Sequence, residues 1–255
     1  MKGIKSISII GTGNVAFHLG KELAKNGIKI DFVYGRNESK TIELARSLNS
    51  FPAKHINLID SDLILVCVSD EALNEVISQI PSNLRIAYTS GSVELSTISR
   101  KENIGVFYPL QTFSRNKEVN FFEVPFLLEA DTTEFAQELF DLAWLLSRKV
   151  LFASSSERKN YHLAAVWVNN FTNHLVYQAK NILEKEQLNW ELLLPLLAET
   201  VEKIKKVDPY EAQTGPARRN DQKTILTHEA MLFGLQKEIY SLLSKSITAS
   251  YNKND

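Results

Sequence analysis

The segment SISIIGTGNVAFHLGKELAKNG (residues 6–27) constrains this chain more than any other, because a short apolar run passes through Gly11-x-Gly13-x-x-Ala16 directly into a helical pattern. Each small residue answers a separate demand. Gly11 permits a tight turn, Gly13 lets a ligand approach the backbone, and Ala16 lets the helix pack on the strand. Thr12, Asn14 and Val15 complete the turn. Free amides and the positive end of a helix then face any anion placed there. The whole predicts a strand–turn–helix cradle for the diphosphate of a dinucleotide.

The second strand candidate, KIDFVYG (29–35), tests which dinucleotide. An NAD site calls for an acid at the end of that strand, to hold the ribose 2′-hydroxyl. Asp31 comes too early, and Gly35, Arg36 and Asn37 stand at the expected place, followed by Ser39 and Lys40. These are donors suited to a 2′-phosphate, so the cofactor expected is NADP. The same lack of an acid counts against S-adenosylmethionine.

Glycine is spread unevenly: eight of the ten lie at or before Gly105, and only Gly215 and Gly234 come later. Tight turns between strands and helices need glycine, and long helices do not. Seven strand candidates fall at residues 4–10, 29–35, 63–69, 85–90, 105–110, 125–130 and 149–154, most separated by helical patterns such as DEALNEVISQI (70–80). That rhythm predicts an α/β fold, a Rossmann-type doubly wound and mostly parallel sheet. From Ser155 to Gln187 there is neither glycine nor proline and the apolar spacing is helical. Two further helical stretches follow, at 190–207 and 227–251. The serines 154–156 offer caps for the long helix, with Glu157 in its first turn. The reading is an NADP-binding Rossmann domain over 1–153 and an all-helical substrate and dimerisation domain over 154–255.

A formal net charge of −1 gives nucleic acid or an acidic membrane no electrostatic hold. No apolar run is long enough for a membrane span, and the N-terminus lacks the run of a signal peptide. A cytoplasmic protein is expected. The single cysteine, Cys67, lies in LILVCVS and reads as a buried thiol; no His, Cys, Asp or Glu spacing indicates a metal.

Ligands of such sheets lie beyond the carboxyl ends of the strands. There stand Val68 and Ser69, expected under the cofactor, and Asp70, read as a helix cap. Thr89, Ser90, Gly91 and Ser92 offer hydroxyls, Ser90 serving either a substrate or its own turn. Tyr108-Pro109 reads as a strand end with a packed ring. In the long helix, His162, Asn169, Asn170, Asn173 and His174 interrupt an apolar pattern where Lys and Glu would mark a solvated face. Uncharged amides and imidazoles there point to an enclosed partner.

The stretches IIGTGNVA, VCVSDEAL, TSGSV, YPLQTF, AAVWVNNFTNHL and TGPARRND (214–221) together resemble a family of Rossmann-like proteins of unknown function. Their helical second domain carries a TGP-x-x-R-x-D signature. That family is similar to pyrroline-5-carboxylate reductase, to the 6-phosphogluconate and β-hydroxyacid dehydrogenases, and to deazaflavin-dependent NADP reductases. The resemblance implies NADP binding and a homodimer formed through the C-terminal helices. It places Asn170 where the dehydrogenases keep an active-site Asn, and Val166 where they keep a catalytic Lys. It also puts Tyr108 where the family often has His, and Asn220 where Gly is usual. Arg219 and Asp221 are expected to lock the TGP turn as an ion pair; Arg218 is left open, and His228 could support the site from behind. The function expected is an NADP-dependent oxidoreductase moving a hydride between NADP(H) and a small C=N or C=O substrate, with Ser90, Asn170 and His174 orienting substrate or relaying a proton. A non-catalytic NADP(H) sensor and a reductase of a flavin-like acceptor are the alternatives.

Overall fold

The computed structural model describes residues 3–251, which form two compact units divided between Asn170 and Phe171. The first holds an eight-stranded sheet in the order β3-β2-β1-β4-β5-β6-β7-β8. These strands are β1 (Ser6–Ile10), β2 (Lys29–Tyr34), β3 (Phe51–Pro52), β4 (Leu63–Val66), β5 (Ile86–Tyr88), β6 (Ile104–Pro109), β7 (Phe126–Ala130) and β8 (Val150–Phe152). All neighbouring pairs are parallel except β6 with β7. The seven expected strands are all present. The eighth, β3, is two exposed residues on the sheet edge, too short to leave a periodic signal.

Between the strands run α1 (Asn14–Lys25), α2 (Glu38–Ser47), α3 (Asp70–Ser78) and α4 (Thr133–Leu146), and after β8 comes α5 (Ser155–Ala165). The central strands are buried on both faces, so successive residues feed two cores. Leu63, Leu65 and Cys67 join Leu19 and Leu23 of α1, Leu44 of α2 and Leu139 of α4 in one. Ile64 and Val66 join Leu73 and Ile77 of α3 in the other. This is why LILVCVS is apolar throughout rather than alternating.

Helix α5 starts at a capping box, in which Ser154 accepts from the Glu157 amide at 3.3 Å and Glu157 accepts from the Ser154 amide at 2.8 Å. It is followed by a π-helical turn, Val166–Phe171. One cap is corrected: Ser69, not Asp70, occupies the N-cap position of α3, and the Asp70 carboxylate instead accepts the Ser92 hydroxyl.

The second unit contains α6 (Thr172–Lys185), α7 (Leu194–Ile204), α8 (Pro209–Ala212), α9 (Gln222–Ala230) and α10 (Gly234–Tyr251). The stretch 227–251, expected as one helix, is two. Helix α9 stops after Ala230, and Gly234 opens α10 with a left-handed φ of 54°, a turn that periodicity cannot see. The TGP turn also differs from expectation. Asp221 caps α9 by accepting the Thr224 amide at 3.1 Å and the Thr224 hydroxyl at 2.7 Å. Arg219 lies near enough only to help lower the Asp221 pKa. Arg218 donates to the carbonyls of Glu211 and Gln213. Asn220 sits at φ 55°, the left-handed region that glycine adopts freely. His228 bonds the Tyr240 hydroxyl at 2.8 Å.

Among the described residues no helix is long and apolar enough to cross a membrane, and no group of three or more His, Cys, Asp or Glu could hold a metal ion.

Candidate active site

The chain leaves β1 for one side of the sheet and returns through β4 on the other, so the strand order reverses between these two neighbours. Ligands of open α/β sheets bind in the crevice that such a reversal leaves. A cleft of about 740 Å³ opens there. Its walls are Gly13–Val15 after β1, Cys67 after β4, Tyr108 and the 110–113 segment after β6, and His162, Val166, Asn169 and Asn170 from α5 and the π turn.

The two glycines of the turn have different reasons to be glycine. Gly11 has φ 122°, and a Cβ there would collide with the carbonyl oxygen of Cys67 and stand 2.8 Å from its carbon. The protein's own backbone therefore excludes a side chain. At Gly13, φ is −77° and a Cβ would meet no atom within 4 Å. Nothing in the protein forbids a side chain at Gly13, yet the position opens into the cleft. No side chain caps α1, which leaves its first amides turned to the same space. Ala16 is fully buried against the sheet. These features fit a diphosphate.

Beyond β2, Gly35 is held close to the same turn, since a Cβ there would lie 2.6 Å from Thr12 Cγ2 and 2.9 Å from Thr41 Oγ1. Arg36 and Ser39 are exposed, and Arg36 has no partner among the described residues. Asn37 caps α2, its Oδ1 accepting from the Lys40 amide at 2.9 Å; its amide nitrogen stays free to donate. Val68 packs on the α3-side core and Ser69 is exposed at the α3 terminus.

Ser90 does not line the cleft. It is buried, and its Oγ accepts from the Ser92 and Val93 amides at 3.2 and 3.1 Å, so the hydroxyl is spent on its own turn. Asn170 does line it, with Asn169 donating to its Oδ1 at 3.5 Å. His174 belongs to the second unit, where its Nε2 lies 3.0 Å from Gln178 Nε2.

Sequence reasoning treated Tyr108 as a packed ring and His162 as one of several interrupters of an apolar helix. The structure joins them: Tyr108 Oη is 3.1 Å from His162 Nδ1, inside the cleft. Burial raises the Tyr108 phenol above its usual pKa; Arg158 opposes this and Asp70 adds to it. The phenol is therefore protonated at neutral pH. No periodic signal could have paired two residues 54 positions apart. Arg158, fully buried beneath them, pairs with Glu129 and donates to the Val93 carbonyl, which fixes α5 to the sheet. The 110–114 segment completes the site. Asn14 Nδ2 donates to the Phe113 carbonyl at 2.9 Å, and His18 Nε2 lies 3.0 Å from the Ser114 carbonyl, holding the 110–114 segment over α1.

Known proteins match this architecture. Residues 6–87 match the family described as NADP oxidoreductase, coenzyme F420-dependent, and residues 124–247 match a domain of unknown function, DUF2520. A Bacteroides fragilis protein whose crystal structure bears the description "putative NADP oxidoreductase BF3122" is 37% identical, with TM-score 0.88, over 96% of this chain and 98% of its own. The chain belongs to the NADP oxidoreductase family. Two more distant structures share the fold of this oxidoreductase. An imine reductase from Myxococcus stipitatus, in complex with NADP+, is 16% identical with TM-score 0.70, over 98% of this chain and 96% of its own. A reductive aminase from Aspergillus terreus, in complex with NADPH and ethyl-5-oxohexanoate, is 14% identical with TM-score 0.69, over 99% and 96%. No curated protein matches the chain.

Proposed function

We propose that this oxidoreductase binds NADP(H) across the β1–β4 switch point and reduces a small C=N or C=O substrate in the adjoining cleft. The observation that carries the reading is Gly13, a residue whose missing side chain leaves open space and serves no packing need. The amides of Gly13, Asn14, Val15 and Ala16 bind the diphosphate, aided by the positive end of α1. Arg36, the free amide of Asn37 and the Ser39 hydroxyl bind the 2′-phosphate. Val68 and Ser69 flank the nicotinamide half. When bound, the cofactor supplies a hydride from nicotinamide C4. Asn169 and Asn170 orient the substrate by hydrogen bonds, and the apolar faces of Val166 and Leu110 limit water in the cleft. A lysine-dependent alcohol dehydrogenation is disfavoured because Val166 has no proton to exchange. That the same fold serves an imine reductase and a reductive aminase supports chemistry at C=N.

The test is a titration of NADPH against NADH, repeated on Arg36→Glu, followed by a panel of imines, keto acids and aldehydes monitored by NADPH absorbance. The charge-assisted contacts to a 2′-phosphate each contribute about 1.5–3 kcal/mol, so Arg36→Glu lowers NADPH affinity at least roughly tenfold and does not weaken NADH, whose 2′-hydroxyl an acid there can accept from. Equal affinity of the native protein for both cofactors refutes the 2′-phosphate site.

The partner proposed for the second unit is a second copy of the chain, through its helices. Met231, Phe233, Leu235 and Leu242 expose between 69% and 80% of their surface. Exposed apolar surface of that extent, in the turn after α9 and along α10, calls for cover. Sedimentation equilibrium is expected to give a dimer, and Phe233→Glu with Leu235→Glu a monomer.

A further inference from the structure

The cleft contains a proton donor that sequence reasoning did not identify. Tyr108 sits at the end of β6 and His162 on α5, and their approach depends on a third position. A Cβ on Gly91 would stand 2.6 Å from Tyr108 Cζ and 2.8 Å from His162 Nδ1. The backbone after β5 is thus kept bare where the two rings close on each other. Both side chains face the cleft that also reaches Gly13 and Asn170. Among the described residues, His162 is the one hydrogen-bond partner of the Tyr108 hydroxyl, and His162 Nε2 has none. His162 is only partly buried and lines the open cleft.

From this arrangement, and resting on the reductase reading above, we propose that Tyr108 is the catalytic acid and that His162 reloads it. As hydride and its two electrons arrive at the substrate carbon, the electron pair of the C=N or C=O bond collects on nitrogen or oxygen. That atom takes the proton from Tyr108 Oη. The phenolate regains a proton from His162 Nδ1, and water restores the imidazole through Nε2. The substrate gains one hydride and one proton, the proton comes in the end from water, and the imidazole is left as its Nε2–H tautomer, which proton exchange with solvent returns to the Nδ1–H form before the next turnover. A phenol is a weak acid for this work, and the reloading imidazole is what suits it, since histidine exchanges protons near neutral pH. The pair supplies the acid that Val166 cannot.

The test uses Tyr108→Phe, His162→Leu and the double variant, with the best substrate from the panel above. Tyr108→Phe should keep the NADPH affinity and the KM while kcat falls about a hundredfold, the usual contribution of a positioned acid. His162→Leu should lower kcat by a smaller factor. Because the two act in one relay, the double variant should be no slower than Tyr108→Phe. A second reading needs no turnover: the ultraviolet signal of the Tyr108 phenol, taken as the difference from Tyr108→Phe, should ionise at higher pH in His162→Leu. The other charges acting on that phenol, Arg158 and Asp70, are unchanged in both proteins. A Tyr108→Phe protein within about threefold of the native kcat overturns the proposal, as do losses that multiply in the double variant or a phenol titration that His162→Leu does not move. Native protein that oxidises NADPH with no substrate of the panel overturns the reductase reading and this one together; undiminished turnover in Tyr108→Phe overturns this one alone.

Discussion

Alanine substitutions at Gly11 and Gly13 should damage different properties of the protein, though the residues are two positions apart. At Gly11 the new Cβ must displace the Cys67 carbonyl, and the backbone must hold a φ of 122° that side chains rarely adopt. A disallowed backbone conformation costs about 1–3 kcal/mol, and overpacking a tight contact costs another 1–3 kcal/mol or so. The sum, about 2–6 kcal/mol, is a large share of the roughly 5–15 kcal/mol that holds a domain folded. At about 2–4 °C per kcal/mol, Gly11→Ala should melt at least roughly 4 °C below the native protein. At Gly13 the backbone is ordinary and the space empty. Gly13→Ala should keep its melting point within a degree or two, since surface changes are usually within about 0.5 kcal/mol. Its loss is in binding: a methyl group now stands where the diphosphate approaches, and NADPH affinity should fall more than about tenfold, or 1.4 kcal/mol. Differential scanning calorimetry and a fluorescence titration of NADPH measure the two effects. A Gly13→Ala protein that binds NADPH like the native one would refute the cradle, and a Gly11→Ala protein of native stability would refute the turn.

Three further outcomes follow from buried or capping groups. Removing one half of the Arg158–Glu129 pair should cost about 3–5 kcal/mol, because the other charge is left desolvated; Arg158→Met with Glu129→Gln should recover much of it in urea titrations. Burial pushes the Cys67 thiol up to about 12, so Ellman's reagent at pH 8 should label it only at the rate of unfolding; immediate labelling would show that the thiol is not buried. The Thr224 hydroxyl and amide hold the Asp221 carboxyl below its usual value. A depressed folded pKa gives stability that is complete above the unfolded value and lost as pH falls through the folded one. Asp221→Ala should therefore be less stable than the native protein at pH 7, with the gap closing below about pH 4, the unperturbed carboxylate range.

The two-part architecture and the cofactor class were legible in the chain because both depend on local rules. Glycine placement follows from turn geometry, and burial on both faces makes LILVCVS apolar at every residue. Gly11-x-Gly13-x-x-Ala16 states in six residues what the first turn needs. The expectation of a 2′-phosphate rested likewise on a local feature, the charge of Arg36 beside Asn37 and Ser39. The helix ends were partly legible: Ser154 and Glu157 are a local capping pair, whereas the break before Gly234 rests on a backbone angle that no apolar spacing records.

The proton-handling part of the site was not legible, and the reason is physical. Ser90 was a candidate by its place after a strand, but amides of its own turn, at Ser92 and Val93, consume its hydroxyl. Tyr108 and His162 each had an ordinary structural explanation when taken singly. Their meeting requires β6 to lie next to β5, α5 to be anchored by Arg158 to Glu129, and Gly91 to leave room. Sequence by itself determined what binds locally, through turns, caps and charge within a few residues of one another. Only the packing of distant segments decided which polar groups remain free to act, because a hydrogen bond consumes a group's chemistry wherever in the chain its partner comes from.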